Sequence, residues 1–364
     1  MSDFHMNNRY VIIMAGGVGS RFWPLSQSKK PKQFLDILGT GETLIQQTFR
    51  RFKSVCPEEN ILVVTNSDHR NLVMEQLGIK PERILSEPLR KNTAPCIAYG
   101  TFIIRNENPD AVIAVTPADH IISNENEFRK VINDGFKFAL GNNVLITLGI
   151  KADKPETGYG YIQRDMNAGV AGFDNLNKVK AFTEKPDLET AKSFLQSGDY
   201  YWNSGIFIWS SKSIIRAMET FLPDICIAFN GRGPIKGSIN DIDFINRTYS
   251  TIRSISIDYG VLEKADNVYV LGTDMGWSDL GTWGSLCDHI PSDLKGNSIV
   301  RGKAFTHESN GNLISITPGK VVLIEGLKDF IVVETDDALL IIRKKEEQKI
   351  KQYLEEIKTE IKDI

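Results

Sequence analysis

The chain has 364 residues, of which 41% are apolar and 24% charged, and a formal net charge of −3. These proportions fit a globular protein of about two domains, and the slight acidic balance argues against the basic surface that nucleic acid needs. Four cysteines, Cys56, Cys96, Cys226 and Cys287, form no C-x-x-C pair, which favours reduced thiols over a disulfide framework or a zinc site.

The opening MSDFHMNNRY is polar and lacks the apolar centre of a signal peptide. No later run is long enough to span a membrane, so the expected setting is cytoplasmic, with no membrane and no nucleic-acid partner. Val11–Met14 has the pattern of a buried parallel strand. It runs into Ala15-Gly16-Gly17-Val18-Gly19-Ser20, with Arg21, Lys29, Lys30 and Lys32 close behind. Glu42–Phe52 has helical spacing, Ile61–Thr65 reads as a second strand, and Ser67 is placed to cap the next helix. Thr93 is placed to cap a helix through Arg105. Ala111–Val115 is a third strand, ending at Thr116-Pro117-Ala118-Asp119-His120. A helix over Glu125–Leu140 and a strand over Val144–Gly149 follow. Strands alternating with helices over about 150 residues predict a parallel, doubly wound sheet. Such a sheet binds ligands at the carboxyl ends of its strands.

Further along, Thr157–Ile162 has turn glycines before a strand, and Lys178–Thr183 is a strand running into Glu184-Lys185-Pro186. The apolar run Trp202–Trp209 carries Asn203 near its start; Trp202, Phe207 and Trp209 read as core. Ser213–Phe221 is helical and Gly231–Ser238 a loop. Asp258–Lys264 reads as a capped helix start, Val268–Leu271 as a strand, and Trp277–Leu280 as the opening of a helix. From about residue 292, short β pieces (298–301, 313–316, 321–324, 330–334 and 338–343) follow one another without helices, as in a few coils of a β-solenoid. Glu346–Ile364 closes the chain as a helix whose apolar stripe is Ile350, Tyr353, Leu354, Ile357 and Ile361. The tail is compatible with a homodimer or with packing inside one chain.

The glycine turn followed by cations is a phosphate-handling pattern, because bare N–H groups and fixed positive charge face an anion together. It is neither common version: G-x-G-x-x-G fails at Phe22, and no G-K-[ST] follows. If a nucleoside triphosphate sits here, Arg21 and Lys32 are the nearest cations; the plainer reading of Lys32 is a solvated loop lysine. Asp119 ends a strand beside this loop and could start a magnesium site, which needs only one or two carboxylates besides phosphate oxygens. An Asx turn or helix cap is the alternative for Asp119 and, more strongly, for Asp279. His120 has no second histidine at ligand spacing and reads as core or as support. Lys185, set at a strand end by Pro186, suits a second anion. Glu184 and Asn203 could hold sugar hydroxyls or simply satisfy local backbone.

Taken together, AGGVGSRFWPLS, PKQFL, EPLRKNTAPCIA, VTPADH, FTEKPD, WNSGIFIW, SIDYGVLEKADNV and GWSDLGTW resemble, in order, the motifs of bacterial mannose-1-phosphate guanylyltransferases, within the sugar-phosphate nucleotidyltransferase superfamily. The resemblance covers about residues 10–285. It implies an α/β fold: a Rossmann-like, doubly wound mixed sheet as catalytic domain over 8–290, then a small β-helix-like C-terminal domain with a terminal helix over 291–364. The implied reaction joins GTP and α-D-mannose 1-phosphate into GDP-mannose and pyrophosphate. Gly16, Gly17, Gly19 and Ser20 would then hold the GTP phosphates through backbone groups, with Ala15 also in the binding set, and Arg21 and Lys32 would neutralise the departing pyrophosphate. Glu87, Asn92, Thr93, Pro117 and Ala118 would line the guanosine side. Asp119 and Asp279 would bind Mg2+, against the capping reading of Asp279. Gly160, Glu184, Asn203 and Gly205 would contact mannose, and Lys185 its phosphate. The catalytic set is thus Arg21, Lys32, Asp119, Lys185 and Asp279. Lys91 and Gly260 depart from the family's usual arginine and alanine. No cupin-type isomerase segment follows, so no isomerase activity is expected. Other sugar 1-phosphate nucleotidyltransferases, or a silent nucleotide-sugar-binding relative, are the alternatives; the presence of all five catalytic residues weighs against silence.

Overall fold

The computed structural model describes residues 6–231 and 237–358. Two compact units emerge: one of the residues up to Gly16 with Thr48–Ala118 and Ile122–Trp277, the other of Gly17–Gln47, Asp119–Ile121 and everything from Ser278 on.

The first unit is built on nine strands: β1 (Arg9–Ala15), β2 (Ile61–Asn66), β3 (Ile84–Glu87), β4 (Val112–Pro117), β5 (Leu145–Lys151), β6 (Gly160–Gly169), β7 (Leu176–Glu184), β8 (Tyr200–Ser210) and β9 (Val268–Thr273). Their order is β3-β2-β1-β4-β8-β5-β9-β7-β6, with β6 also touching β8. The first four strands are parallel, and all six residues of β2 are buried, as expected where helices cover both faces. β8 enters between β4 and β5 antiparallel to both, which makes the sheet mixed, as the resemblance implies. Its Phe207, Ile208 and Trp209 are buried, as is Trp202.

Helices connect these strands: α1 (Leu44–Lys53), α2 (Arg70–Leu77), α3 (Thr93–Glu107), α4 (Glu125–Ala139), α5 (Leu188–Ser197), α6 (Ser211–Phe221), α7 (Pro223–Phe229) and α8 (Ile242–Thr251). Several caps differ from expectation. Asn66, not Ser67, accepts from Asp68 N–H and starts the 3₁₀ turn ahead of α2. Asn92, not Thr93, caps α3, accepting from Thr93 N–H at 2.8 Å. Asp258–Leu262 is a π-helical turn without a side-chain cap. Trp277–Ser278 is extended, and the following helix, α9 (Trp283–Cys287), is capped by Thr282 in a reciprocal box with Ser285. Asp279 therefore caps no helix.

In the second unit β10 (Ser298–Arg301), β11 (Lys303–His307), β12 (Leu313–Ser315), β13 (Val321–Glu325), β14 (Phe330–Glu334) and β15 (Leu339–Arg343) form a short solenoid. β10, β12 and β14 stack in parallel, as do β11 and β13, and β15 closes antiparallel on β14. An asparagine ladder links the coils: Asn312 donates to Asn297 Oδ1 at 3.0 Å, and Phe330 N–H donates to Asn312 Oδ1 at 2.9 Å. A 3₁₀ turn over Lys344–Lys349 leads into α10 (Ile350–Lys358). Ile350 and Leu354 join Phe22, Trp283, Leu313 and Ile331 in the core of this unit. Ile361, and residues 232–236 of the expected Gly231–Ser238 loop, lie outside the described residues. Among the described residues no helix is long and apolar enough to cross a membrane.

Candidate active site

In the second unit the glycine loop is tied down by side chains. Ser26 Oγ donates to Val18 O at 2.6 Å and Gln33 Nε2 to Gly17 O at 3.0 Å. Gly19 has φ +64° and starts the 3₁₀ turn Ser20–Phe22. A Cβ there would fall 2.4 Å from Lys32 Cβ, so both conformation and space demand glycine.

Lys32 is the centre of this region. It is only 3% exposed, and its Nζ donates to Asp119 Oδ2 at 3.0 Å and to the Asp279 carbonyl at 2.6 Å. Nζ also lies 5.6 Å from the centre of the Phe22 ring, within cation–π range. The solvated-lysine reading is thereby overturned, whereas Arg21, Lys29 and Lys30 are exposed. An ammonium carries three donors; the two bonds named leave Lys32 one more. A cavity of about 270 Å³ is lined by Gly19, Ser20, Arg21, Lys32, Asp119 and Asp279, among others.

Burial alone would raise the Asp119 pKa, but the charges of Lys32 and His120 and the Lys32 hydrogen bond outweigh it and hold the carboxyl below its ordinary range. His120 Nε2 stands 3.9 Å from Asp119 Oδ1, a supporting position. Asp279 Oδ1 accepts from Gly281 N–H at 3.0 Å, an Asx-type turn. Two carboxylates in one cavity fit a magnesium ion that completes its shell with phosphate oxygens and water. They do not fit an all-protein metal cage, and no group of three or more His, Cys, Asp or Glu able to hold a metal occurs among the described residues.

The other expected residues lie in the first unit, several at carboxyl ends of parallel strands. Ala15 ends β1, Glu87 ends β3 and Pro117 ends β4. Ala118 is buried, and its N–H donates to Met14 O at 3.0 Å. Glu87 is 5% exposed; Tyr249 donates its hydroxyl to Glu87 Oε1 at 2.9 Å, while Oε2 would lie 3.5 Å from a Cβ on Gly16. Burial pushes the Glu87 pKa up to about 7, against the pull of the Tyr249 hydrogen bond and of Arg90. Asn92 has φ +70°, and the Thr93 hydroxyl accepts from Ile257 N–H at 2.9 Å.

A second cluster gathers Gly160, Glu184, Lys185, Asn203 and Gly205. Gly160 pairs with Glu184 across β6 and β7, and a Cβ on Gly160 would meet Glu184 Oε2 at 2.5 Å and Asn203 Cβ at 3.4 Å. Lys185 has φ +46°, and its Nζ is paired with Glu184 Oε1. Asn203 Nδ2 donates to Asp258 Oδ1 at 2.8 Å. Tyr249, Asp258 and Thr147, which hold Glu87 and Asn203, escape a reading of the sequence because each acts across a wide gap in the chain; Asp258 reads there only as a helix cap.

A profile of the nucleotidyl transferase family matches residues 10–296, and one of the "MannoseP isomerase/GMP-like beta-helix domain" matches 302–357. A mannose-1-phosphate guanylyltransferase of Klebsiella pneumoniae is 37% identical over 356 residues, 95% of this chain and 73% of that one. The mannose-1-phosphate guanylyltransferase ManC of Salmonella typhimurium is 38% identical over 360 residues, 96% of this chain and 73% of its own. A crystal structure from Thermus thermophilus, described as a mannose-1-phosphate geranyltransferase, is similar with a TM-score of 0.86 and 26% identity over 96% of this chain and 99% of that one. Fold and relatives agree: the chain belongs to the nucleotidyl transferase family, in the group of the bacterial mannose-1-phosphate guanylyltransferases.

Proposed function

We propose that this chain transfers GMP from GTP to α-D-mannose 1-phosphate, releasing pyrophosphate and GDP-mannose, as a cytoplasmic enzyme acting on small molecules. The observation that carries the reading is the buried Lys32, fixed by Asp119 and the Asp279 backbone beside the glycine loop. A lysine so enclosed, in a family of nucleotidyl transferases, is suited to an anion rather than to solvent.

The sugar phosphate has a second pKa of about 6, so near neutral pH it is already mostly an anionic nucleophile. No general base is needed; the task is to align two repelling anions and stabilise the α-phosphorus transition state. Backbone groups of Gly16, Gly17, Gly19 and Ser20 receive the GTP phosphates, and Arg21 and Lys32 neutralise the departing pyrophosphate. Glu87, Asn92, Thr93, Pro117 and Ala118 take the guanosine side. Lys185 holds the sugar phosphate, and Gly160, Glu184, Asn203 and Gly205 hold the mannose ring. Magnesium, held by Asp119 and Asp279, would supply positive charge to the phosphate oxygens. A single in-line attack inverts configuration at the α-phosphorus.

The test compares Lys32→Ala and Lys185→Ala in steady-state kinetics on folded protein. Lys32→Ala should lower kcat by about 100-fold or more, as loss of a charged transition-state contact does. Lys185→Ala should raise KM for mannose 1-phosphate more than KM for GTP. Near-wild-type rates for the first, or equal KM changes for the second, would remove those roles.

A further inference from the structure

Asn203 stands where β8 is interrupted. In the pairing of β5 with β8, Thr147 faces Phe207 and Gly149 faces Asn203, so Ser204, Gly205 and Ile206 oppose Leu148 alone. Such a bulge re-aims side chains and leaves ladder groups to be satisfied otherwise. Here Gly205 adopts φ +69°, and its N–H turns to Asn203 Oδ1 at 3.1 Å. Ser204 donates to Leu148 O at 2.8 Å and accepts from Ile206 N–H at 3.2 Å.

These contacts fix which way the Asn203 amide points. A backbone N–H can only donate, so the atom facing Gly205 must be oxygen, which leaves the amide nitrogen to face Asp258 Oδ1. The Thr147 hydroxyl adds a second donor to Oδ1 at 3.2 Å. An amide oxygen accepts two hydrogen bonds and an amide nitrogen donates two. Oδ1 is therefore filled, Nδ2 spends one hydrogen on Asp258, and one N–H remains. Asn203 can act toward a ligand only as a donor, whereas the neighbouring Glu184 carboxylate can act only as an acceptor.

We infer that Asp258 is a positioning residue for sugar recognition: by holding Asn203 Nδ2 it makes Asn203 a donor-only contact, which reads one sugar hydroxyl as an acceptor while Glu184 reads another as a donor. This rests on the sugar 1-phosphate reading above and adds the polarity with which that site meets the sugar. Burial, countered by the Asn203 hydrogen bond, raises the Asp258 pKa, with Glu184 raising it further and Lys185 lowering it.

The experiment measures pyrophosphate release by purified wild type, Asn203→Ala, Asp258→Ala, Asp258→Asn and the Asn203→Ala/Asp258→Ala double variant, varying GTP and mannose 1-phosphate separately. Asp258→Ala should raise KM for the sugar phosphate about tenfold, the scale of one hydrogen bond to a charged group, and leave KM for GTP within about twofold. Asp258→Asn, whose side-chain oxygen still accepts from Asn203, should recover most of that loss. Adding Asp258→Ala to Asn203→Ala should have no further effect on KM, since the residue being positioned is gone. Equal damage from the Ala and Asn variants, additive effects in the double variant, or a matching rise in KM for GTP would each overturn the inference while leaving the reaction assigned. Should the wild type prefer another hexose 1-phosphate, the same comparison is made with that sugar; turnover of none would overturn the inference together with the reading beneath it.

Discussion

Lys32 is enclosed by an aromatic ring and two oxygens, while Lys30 and Lys29, two and three residues earlier, are exposed. Nothing in PLSQSKKPKQFL separates these lysines locally; what separates them are partners 87 and 247 residues further along the chain. Glu87 makes the same point with a measurable consequence. Its folded pKa of about 7 exceeds the ordinary 4.5, so the folded state holds the proton more tightly. The associated stabilisation is complete below about pH 4.5 and is lost as the pH rises through about 7. Glu87→Gln keeps an oxygen for the Tyr249 hydroxyl and removes the titration. Thermal melting should show that the variant gains in Tm relative to wild type between pH 5 and pH 8; parallel curves would contradict the assignment. Asp119 and Glu184 were legible as candidates because they stand beside strand ends, whereas Glu87 was legible only through the resemblance of its motif, since the short strand that it ends, Ile84–Glu87, has no counterpart in the sequence reading. Tyr249, Thr147 and Asp258 were not legible in these roles, because a hydrogen-bond partner brought in by tertiary folding leaves no periodic or local signature.

At the level of elements, the strand-to-glycine turn was legible because an apolar run, three glycines and a set of cations occur in sequence order. Its inner geometry sets a prediction. Gly19→Ala places a side chain in the left-handed region, which costs about 1–2 kcal/mol, and drives its Cβ into Lys32 at 2.4 Å. Gly17, where a Cβ would meet nothing within 4 Å, serves as the comparison. Denaturant melts should show a clear loss of stability for Gly19→Ala and a smaller one for Gly17→Ala, with kcat also reduced for the former; equal melts would contradict the geometry. Sequence spacing sets the caps one residue late at Ser67 and Thr93, because asparagine at the preceding position supplies the acceptor in each case. The solenoid strand β11 was not legible because Lys303, Phe305 and His307 are exposed in alternation, a pattern that a polar turn sequence imitates. The other solenoid strands, with their apolar runs, were.

Across the whole molecule, a net charge of −3 coexists with a cavity that sets Arg21 and Lys32 beside Asp119 and Asp279, so anion binding here depends on placement and not on overall charge. The α/β class and the β-solenoid were legible from the order of apolar segments. The insertion of β8 between β4 and β5 was not, since pairing between distant strands is decided by the assembled core and not by any one segment. The central claim is the reaction itself, and it is tested most directly by pyrophosphate release from purified protein with GTP, mannose 1-phosphate and magnesium. Parallel reactions omit the sugar, add EDTA, or substitute glucose 1-phosphate, ATP or UTP. The account predicts release that requires both the metal and the sugar phosphate and is fastest with GTP and mannose 1-phosphate. Absence of release with any pair, from folded protein that still binds GTP, would contradict it.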